Sequence, residues 1–393
     1  MKFQSLLVEL ECTYCGKIHN PDEIHTVCPD CGKILYPRYD LEAAKEQLTK
    51  MSIQSRTSYN IWRFHEIMPV RKAKFRLTLG EGWTPLIHLK NLGKIRGLNH
   101  LFIKDEGQNP TGTFKSRGLC AAVARGLELG VRDFVMPTAG NAGAALAAYT
   151  AHAGASSHIF APKDTDPFIQ AEMRAMGAEL TLIDGLITDA GIQAKKTGKE
   201  KGWFDVSTLK EPYRVEGKKT MGLELAEQME WELPDVIIYP TGGGTGIVGM
   251  WKAFEEMEIL GLIGTKRPKM VSVQPTGCQP IIRAFQRGDK HATPWENAQS
   301  IFGGIRVPSA IGDYLILQAI RESHGTAVAV DDVEIKASMF ELAKHEGIMI
   351  AGEAAATIAA IRKLLELNFI DRNESIVLFG TGSGLTTPSL WMD

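Results

Sequence analysis

The chain has 393 residues, 44% apolar and 23% charged, with a formal net charge of −2. That is enough chain for two or three domains with buried cores. The balanced charge and lack of a long basic run argue against a nucleic-acid partner. No apolar stretch reaches bilayer length, so no membrane association is expected.

The N-terminus meets Glu9 and Glu11 too early for a secretory leader, so a cytoplasmic location is expected. Residues 1–40 carry Cys12-x2-Cys15 and, twelve residues later, Cys28-x2-Cys31, with each pair running into a glycine (Cys15-Gly16, Cys31-Gly32). Two such knuckles bring four thiolates to one tetrahedral ion, and a small, charged segment gains stability from a metal. The spacing predicts a structural zinc-ribbon-like segment held by Cys12, Cys15, Cys28 and Cys31, with four uncoordinated thiols as the alternative. Cys120 and Cys278 stand alone and read as buried apolar residues. Residues 41–78 read as helix and connector, with Trp62, Phe64 and Met68 able to dock.

From Gly80 onward short β-rich runs alternate with alanine-rich helical stretches. Strands are predicted at Phe134–Thr138, His158–Pro162, Leu180–Asp184, Val236–Pro240, Met270–Gln274, Ala327–Val330 and Ile376–Phe379. Helices are predicted near 141–153, 167–176, 187–201, 217–229, 246–260, 311–323, 332–346 and 353–367. This alternation predicts an α/β chain built of open, mostly parallel sheets, which bind ligands at the carboxyl ends of their strands.

Four segments carry chemistry. Asn109-Pro110-Thr111-Gly112-Thr113-Phe114-Lys115 places a lysine at the start of an apolar helical stretch, Leu119–Leu129. The positive end of the helix dipole disfavours its cationic form, which suits an amine that attacks a carbonyl. Thr138-Ala139-Gly140-Asn141-Ala142-Gly143 follows a strand; Asn141 either donates to a ligand or caps the helix. Thr241-Gly242-Gly243-Gly244-Thr245-Gly246, between strand and helix, makes a phosphate cradle of backbone amides. Gly380-Thr381-Gly382-Ser383-Gly384 offers hydroxyls after the last strand. An amine, a cradle, an amide and a hydroxyl together suit pyridoxal 5'-phosphate.

With Glu81-Gly82-Trp83-Thr84-Pro85-Leu86, these segments identify residues 79–387 as resembling the fold-type-II pyridoxal-phosphate enzymes, the tryptophan synthase β class. Within that class the chain is most similar to threonine synthases, some of which also carry cysteine knuckles. The resemblance implies a cofactor in the cleft of two domains: a large one of 79–118 with 216–393, and a small one of 119–215. It implies that Lys115 holds the cofactor aldehyde and that Asn141 meets the ring hydroxyl oxygen. Gly242, Gly243, Gly244, Thr245 and Gly246 would hold the phosphate. Thr381, with Ser383 as second candidate, would meet the ring nitrogen. Thr138, Ala139 and Gly140 would take the substrate carboxylate. Relatives are usually homodimers.

Two departures bear on substrate. Where threonine synthases carry Asn-Ser-x-Asn-Pro before Arg214-Val215-Glu216-Gly217-Lys218-Lys219-Thr220, this chain has Thr208-Leu209-Lys210-Glu211-Pro212. Glu211 is a negative charge where a phosphate is expected. The usual Lys-Asp-Arg-Gly is Lys115-Ser116-Arg117-Gly118, which alters a salt bridge to Arg117. A threonine synthase is therefore read beside two alternatives: a lyase or dehydratase of a hydroxy- or diamino-acid, and a non-catalytic binder of pyridoxal phosphate or an amino acid. Glu353 reads as a helix-start acid or a group near the cofactor, and His88, His152 and His324 as structural.

Overall fold

The computed structural model describes residues 4–138, 140–185 and 187–392. The chain divides into two compact units. The first holds the residues up to Trp83, Lys115–Thr220 and Ile259–Leu262. The second holds Thr84–Phe114, Met221–Glu258 and the residues from Ile263 onward.

The strands, in chain order, are β1 (Leu7–Cys12), β2 (Ile18–His19), β3 (Leu35–Tyr39), β4 (Leu86–His88), β5 (His100–Asp105), β6 (Asp133–Pro137) and β7 (Ser156–Pro162). They continue with β8 (Glu179–Ile183), β9 (Phe204–Asp205), β10 (Val236–Pro240), β11 (Lys269–Pro275), β12 (Thr326–Val330) and β13 (Ser375–Gly380). In the first unit β2-β1-β3 form an antiparallel sheet, and β8-β7-β6-β9 form a parallel one. The second unit holds β12-β11-β10-β13-β5-β4, parallel except for the edge strand β4. The fold is α/β, as the alternation predicts.

Near-continuous burial along β10, β11 and β13 follows from helices covering a parallel sheet. In the second unit Ile238, Val271 and Leu378 pack with Ala355, Ile358 and Leu364 of helix Gly352–Glu366. In the first, the small side chains Ala121, Ala122, Ala144 and Ala145 share a core cluster, and they let helices Lys115–Glu128 and Asn141–Ala153 approach closely. Trp62, Phe64 and Met68 are buried, as are Cys120 and Cys278. Among the described residues no helix is long and apolar enough to cross a membrane.

Candidate active site

In the second unit the strand order reverses beside β10. From β10 the sheet runs through β11 to β12 on one side, while β13 and β5 lie on the other. Open α/β sheets bind ligands outside the carboxyl ends of strands at such a reversal. Three of the segments singled out by sequence emerge there, from β10, β13 and β5.

β10 runs into Thr241–Gly244, and helix Thr245–Ile259 begins directly after. The turn is pinned to β11: the Thr241 amide donates to the Val273 carbonyl at 2.8 Å, and Gln274 donates to the Thr241 carbonyl at 3.2 Å. Gly244 has φ +82°, and a Cβ there would lie 2.2 Å from Ile316 Cδ1. A Cβ on Gly246 would lie 1.8 Å from the Tyr239 hydroxyl oxygen. Packing therefore demands glycine at both, and the helix's first amides follow the turn directly. Those amides lack intrahelical acceptors and sit at the positive end of the dipole, which suits a phosphate.

The loops after β13 and β5 are laced together. The Phe114 amide donates to the Thr381 carbonyl at 3.0 Å and the Ser383 amide to the Gly112 carbonyl at 2.8 Å, with a bridge of Thr113 to Gly382. Ser383 Oγ accepts from the Leu385 amide at 3.2 Å, capping a short turn, so local structure uses the second hydroxyl candidate while Thr381 lies buried at the strand end. On the other side of the lysine loop sits Glu106, fully buried. Its carboxylate accepts from Thr84 Oγ1 at 2.7 Å and Asn109 Nδ2 at 2.8 Å. Lys104, also fully buried, donates to the Thr84 carbonyl at 2.6 Å and pairs with Glu224 at 3.2 Å. Thr111 sits at φ +58°, a left-handed conformation that costs a non-glycine residue of order 1 kcal/mol and marks an over-determined loop. Sequence reading missed Glu106 and Lys104; the available signal was an acid three residues before Asn109.

Lys115 follows Phe114 as the first residue of helix Lys115–Glu128 and is half-buried. This helix, in the first unit, is packed backbone to backbone against helix Arg214–Gln228. A Cβ on Gly217 would lie 2.0 Å from the Arg117 carbonyl oxygen, and one on Gly118 would lie 2.9 Å from that of Arg214. Arg117 Nη1 donates to Thr220 Oγ1 at 2.9 Å. Gly217 and Thr220 of the Arg214–Thr220 run thus serve to seat the lysine helix.

The first unit's parallel sheet also reverses, at β6, with β7 on one side and β9 on the other. After β6 come Thr138 and Gly140; Ala139 lies outside the described residues. Thr138 is buried, and its hydroxyl oxygen accepts from the Gly140 amide at 3.2 Å. Gly140 is the N-cap of helix Asn141–Ala153, which makes Asn141 the first helical residue and not the cap. Asn141 is half-buried, close behind the carboxyl end of β6.

After β9 come Ser207–Pro212. Glu211 is 1% exposed, and its two oxygens accept from the amides of Tyr213 and Arg214 at 2.6 and 2.9 Å, at the start of helix Arg214–Gln228. Burial pushes the carboxyl up to about 7 despite the opposing Arg214 charge and those amides. The acid that looked hostile to a substrate phosphate is turned into the protein, while Lys210 beside it is exposed. Glu353 Oε1 accepts from the Gly304 amide at 2.9 Å.

In the antiparallel sheet the two knuckles repeat one geometry. The amides of Cys12 and Cys28 donate to the carbonyls of Lys17 and Lys33, and those of Gly16 and Gly32 to the carbonyls of Cys12 and Cys28. Gly16 and Gly32 have φ +72° and +70°, which favours glycine after each pair. The four Sγ atoms lie within 4.8 Å of one another, with Cys12–Cys31 at 3.4, Cys15–Cys31 at 3.6 and Cys15–Cys28 at 3.8 Å. A tetrahedral zinc with bonds of about 2.3 Å needs sulfur pairs about 3.8 Å apart, so the cluster fits zinc.

Residues 77–382 match the model of the family described as "Pyridoxal-phosphate dependent enzyme". The chain is 37% identical over 378 residues to the threonine synthase of Methanocaldococcus jannaschii, covering 96% of this chain and 92% of that one. It is 34% identical over 388 residues to the threonine synthase of Methanosarcina acetivorans, covering 98% and 94%. Among solved structures, diaminopropionate ammonia lyase from Escherichia coli superposes with a TM-score of 0.69 at 18% identity, covering 80% of this chain and 87% of that one. That last likeness concerns the fold alone.

Proposed function

The chain belongs to the pyridoxal-phosphate-dependent enzymes, and from that premise we propose that it acts as a threonine synthase, converting O-phosphohomoserine and water to threonine and phosphate. Pyridoxal phosphate supplies an aldehyde that takes up an amine and a ring that stores the electron pair left when the α-proton departs. Lys115 Nζ would hold that aldehyde and would serve as the base for the proton on the substrate α carbon. The amides of Gly242, Gly243, Gly244, Thr245 and Gly246 receive the cofactor phosphate. Asn141 donates to the ring hydroxyl oxygen. Thr381 offers the ring nitrogen a neutral hydroxyl, a weaker proton source than a carboxylate, and so favours elimination and replacement over transamination. Thr138, Ala139 and Gly140 take the substrate carboxylate.

One observation carries the assignment: the cradle, the Thr381 loop and the lysine loop leave three adjacent strands at a reversal point, the last two laced by backbone hydrogen bonds. The internal use of Glu211 removes the charge objection to a phosphorylated substrate. A structural zinc at Cys12, Cys15, Cys28 and Cys31, a homodimer and a cytoplasmic location complete the proposal, the first resting on the sulfur spacings and the second on the family resemblance. Incubating purified protein and cofactor with O-phosphohomoserine tests it. Equal release of phosphate and threonine is expected. Silence on that substrate with keto-acid formed from serine or threonine would instead assign a dehydratase.

A further inference from the structure

Lys115 has to turn between two jobs, and the face of its helix that fixes its direction is held by a buried hydrogen-bond chain. Glu81, fully buried, fills both carboxylate oxygens. Oε2 accepts from Tyr149 Oη at 2.6 Å and from the Leu79 amide at 3.0 Å. Oε1 accepts from Thr78 Oγ1 at 3.0 Å and from Cys120 Sγ at 3.3 Å. The Ser116 hydroxyl in turn hydrogen-bonds the Tyr149 oxygen. Ser116, Cys120 and Tyr149 have no solvent exposure. Burial, with the charges of Cys120 and Glu81, holds the Tyr149 hydroxyl far above the ordinary phenol range, so it stays a donor at every working pH.

Ser116 and Cys120 are four residues apart and so lie on one helix face. Fixing that face fixes the rotation of the helix, and Lys115 projects about 100° from Ser116 around the same axis. Tyr149 stands on helix Asn141–Ala153, which Asn141 opens. The chain Ser116–Tyr149–Glu81 therefore sets the lysine helix in register with the Asn141 helix. An acid at position 116 would bring a second negative charge to the buried Glu81 carboxylate, whereas serine donates.

We propose that Tyr149, anchored by Glu81 and gripped by Ser116, is a positioning residue that sets the direction of Lys115. This rests on Lys115 being the cofactor lysine. The test compares wild-type, Y149F and S116A holoenzymes by visible circular dichroism of the bound cofactor, by kcat and KM, and by thermal unfolding. S116A leaves the Tyr149–Glu81 bond in place and isolates the grip on the lysine helix. Both variants are expected to bind cofactor one per chain with an altered visible dichroism. Their kcat should fall about tenfold, with KM changed less than about twofold. Wild-type dichroism and kcat in S116A would overturn the proposal, whatever happens to the melting temperature, and S116A decides alone if Y149F fails to fold. K115A checks the premise separately: it should abolish the lysine-bound cofactor band, and a wild-type protein lacking that band would overturn both.

Discussion

Glu211 shows how burial redirects a charge. Its carboxyl is taken from solvent, given two helix-start amides, and raised to about 7 from an ordinary 4.5, mainly by desolvation. A folded-state value above the unfolded one means the native protein binds this proton more tightly. The stabilisation is complete below about pH 4.5 and is lost as pH rises through about 7. Between pH 5 and pH 8 wild-type protein should therefore lose about 3 kcal/mol more stability than E211Q, which has no proton to release. Urea midpoints for the two proteins across that range check this; parallel profiles would contradict it. The sequence showed an acid in a loop but not its inward turn, which depends on the amides of Tyr213 and Arg214. Tyr149 was illegible for a related reason, since a tyrosine in an alanine-rich helix reads as core until Glu81 and Ser116 are seen beside it.

Elements with a strong local signal were legible. The knuckle spacing announced the cysteine cluster, and the helices at Asn141–Ala153, Ile187–Lys201 and Asp332–Glu346 begin and end where their patterns predict. β5 was missed because Lys104 and Asp105 end its apolar run with charges; Lys104 is buried all the same, because Glu224 and the Thr84 carbonyl receive it. β4 has three residues, too few to show a period, and helix Pro280–Arg287 is barely two turns. The ribbon makes an element-scale prediction. Its three strands are short, and Tyr39 at the end of β3 donates to Glu216 at 2.7 Å, while Glu216 pairs with Lys219 at 2.6 Å on the helix that seats the lysine helix. Metal loss should loosen that support. Elemental analysis should find one zinc per chain. C28S should lose the zinc and begin unfolding several degrees lower; a zinc-free wild type, or C28S with unchanged unfolding, would refute a structural metal.

Across the whole molecule the two parallel sheets share one logic. Each reverses its strand order once, and the loops that sequence marked for chemistry follow carboxyl ends at those reversals: Thr138, Gly140 and Asn141 with Thr208–Pro212 in one unit, Thr241–Gly246, Thr381–Gly384 and Asn109–Phe114 in the other. The glycine-rich turns were readable because backbone approach and positive φ leave few alternatives to glycine. The lacing of Phe114 to Thr381 and of Gly112 to Ser383 was not, because it joins segments some 270 residues apart in the chain. Everything chemical in this account turns on Lys115. Borohydride reduction of cofactor-saturated protein, followed by peptide mass mapping, reads that residue directly. The reduced cofactor should appear on the peptide containing Lys115; its attachment to another lysine, or to none, would contradict the account.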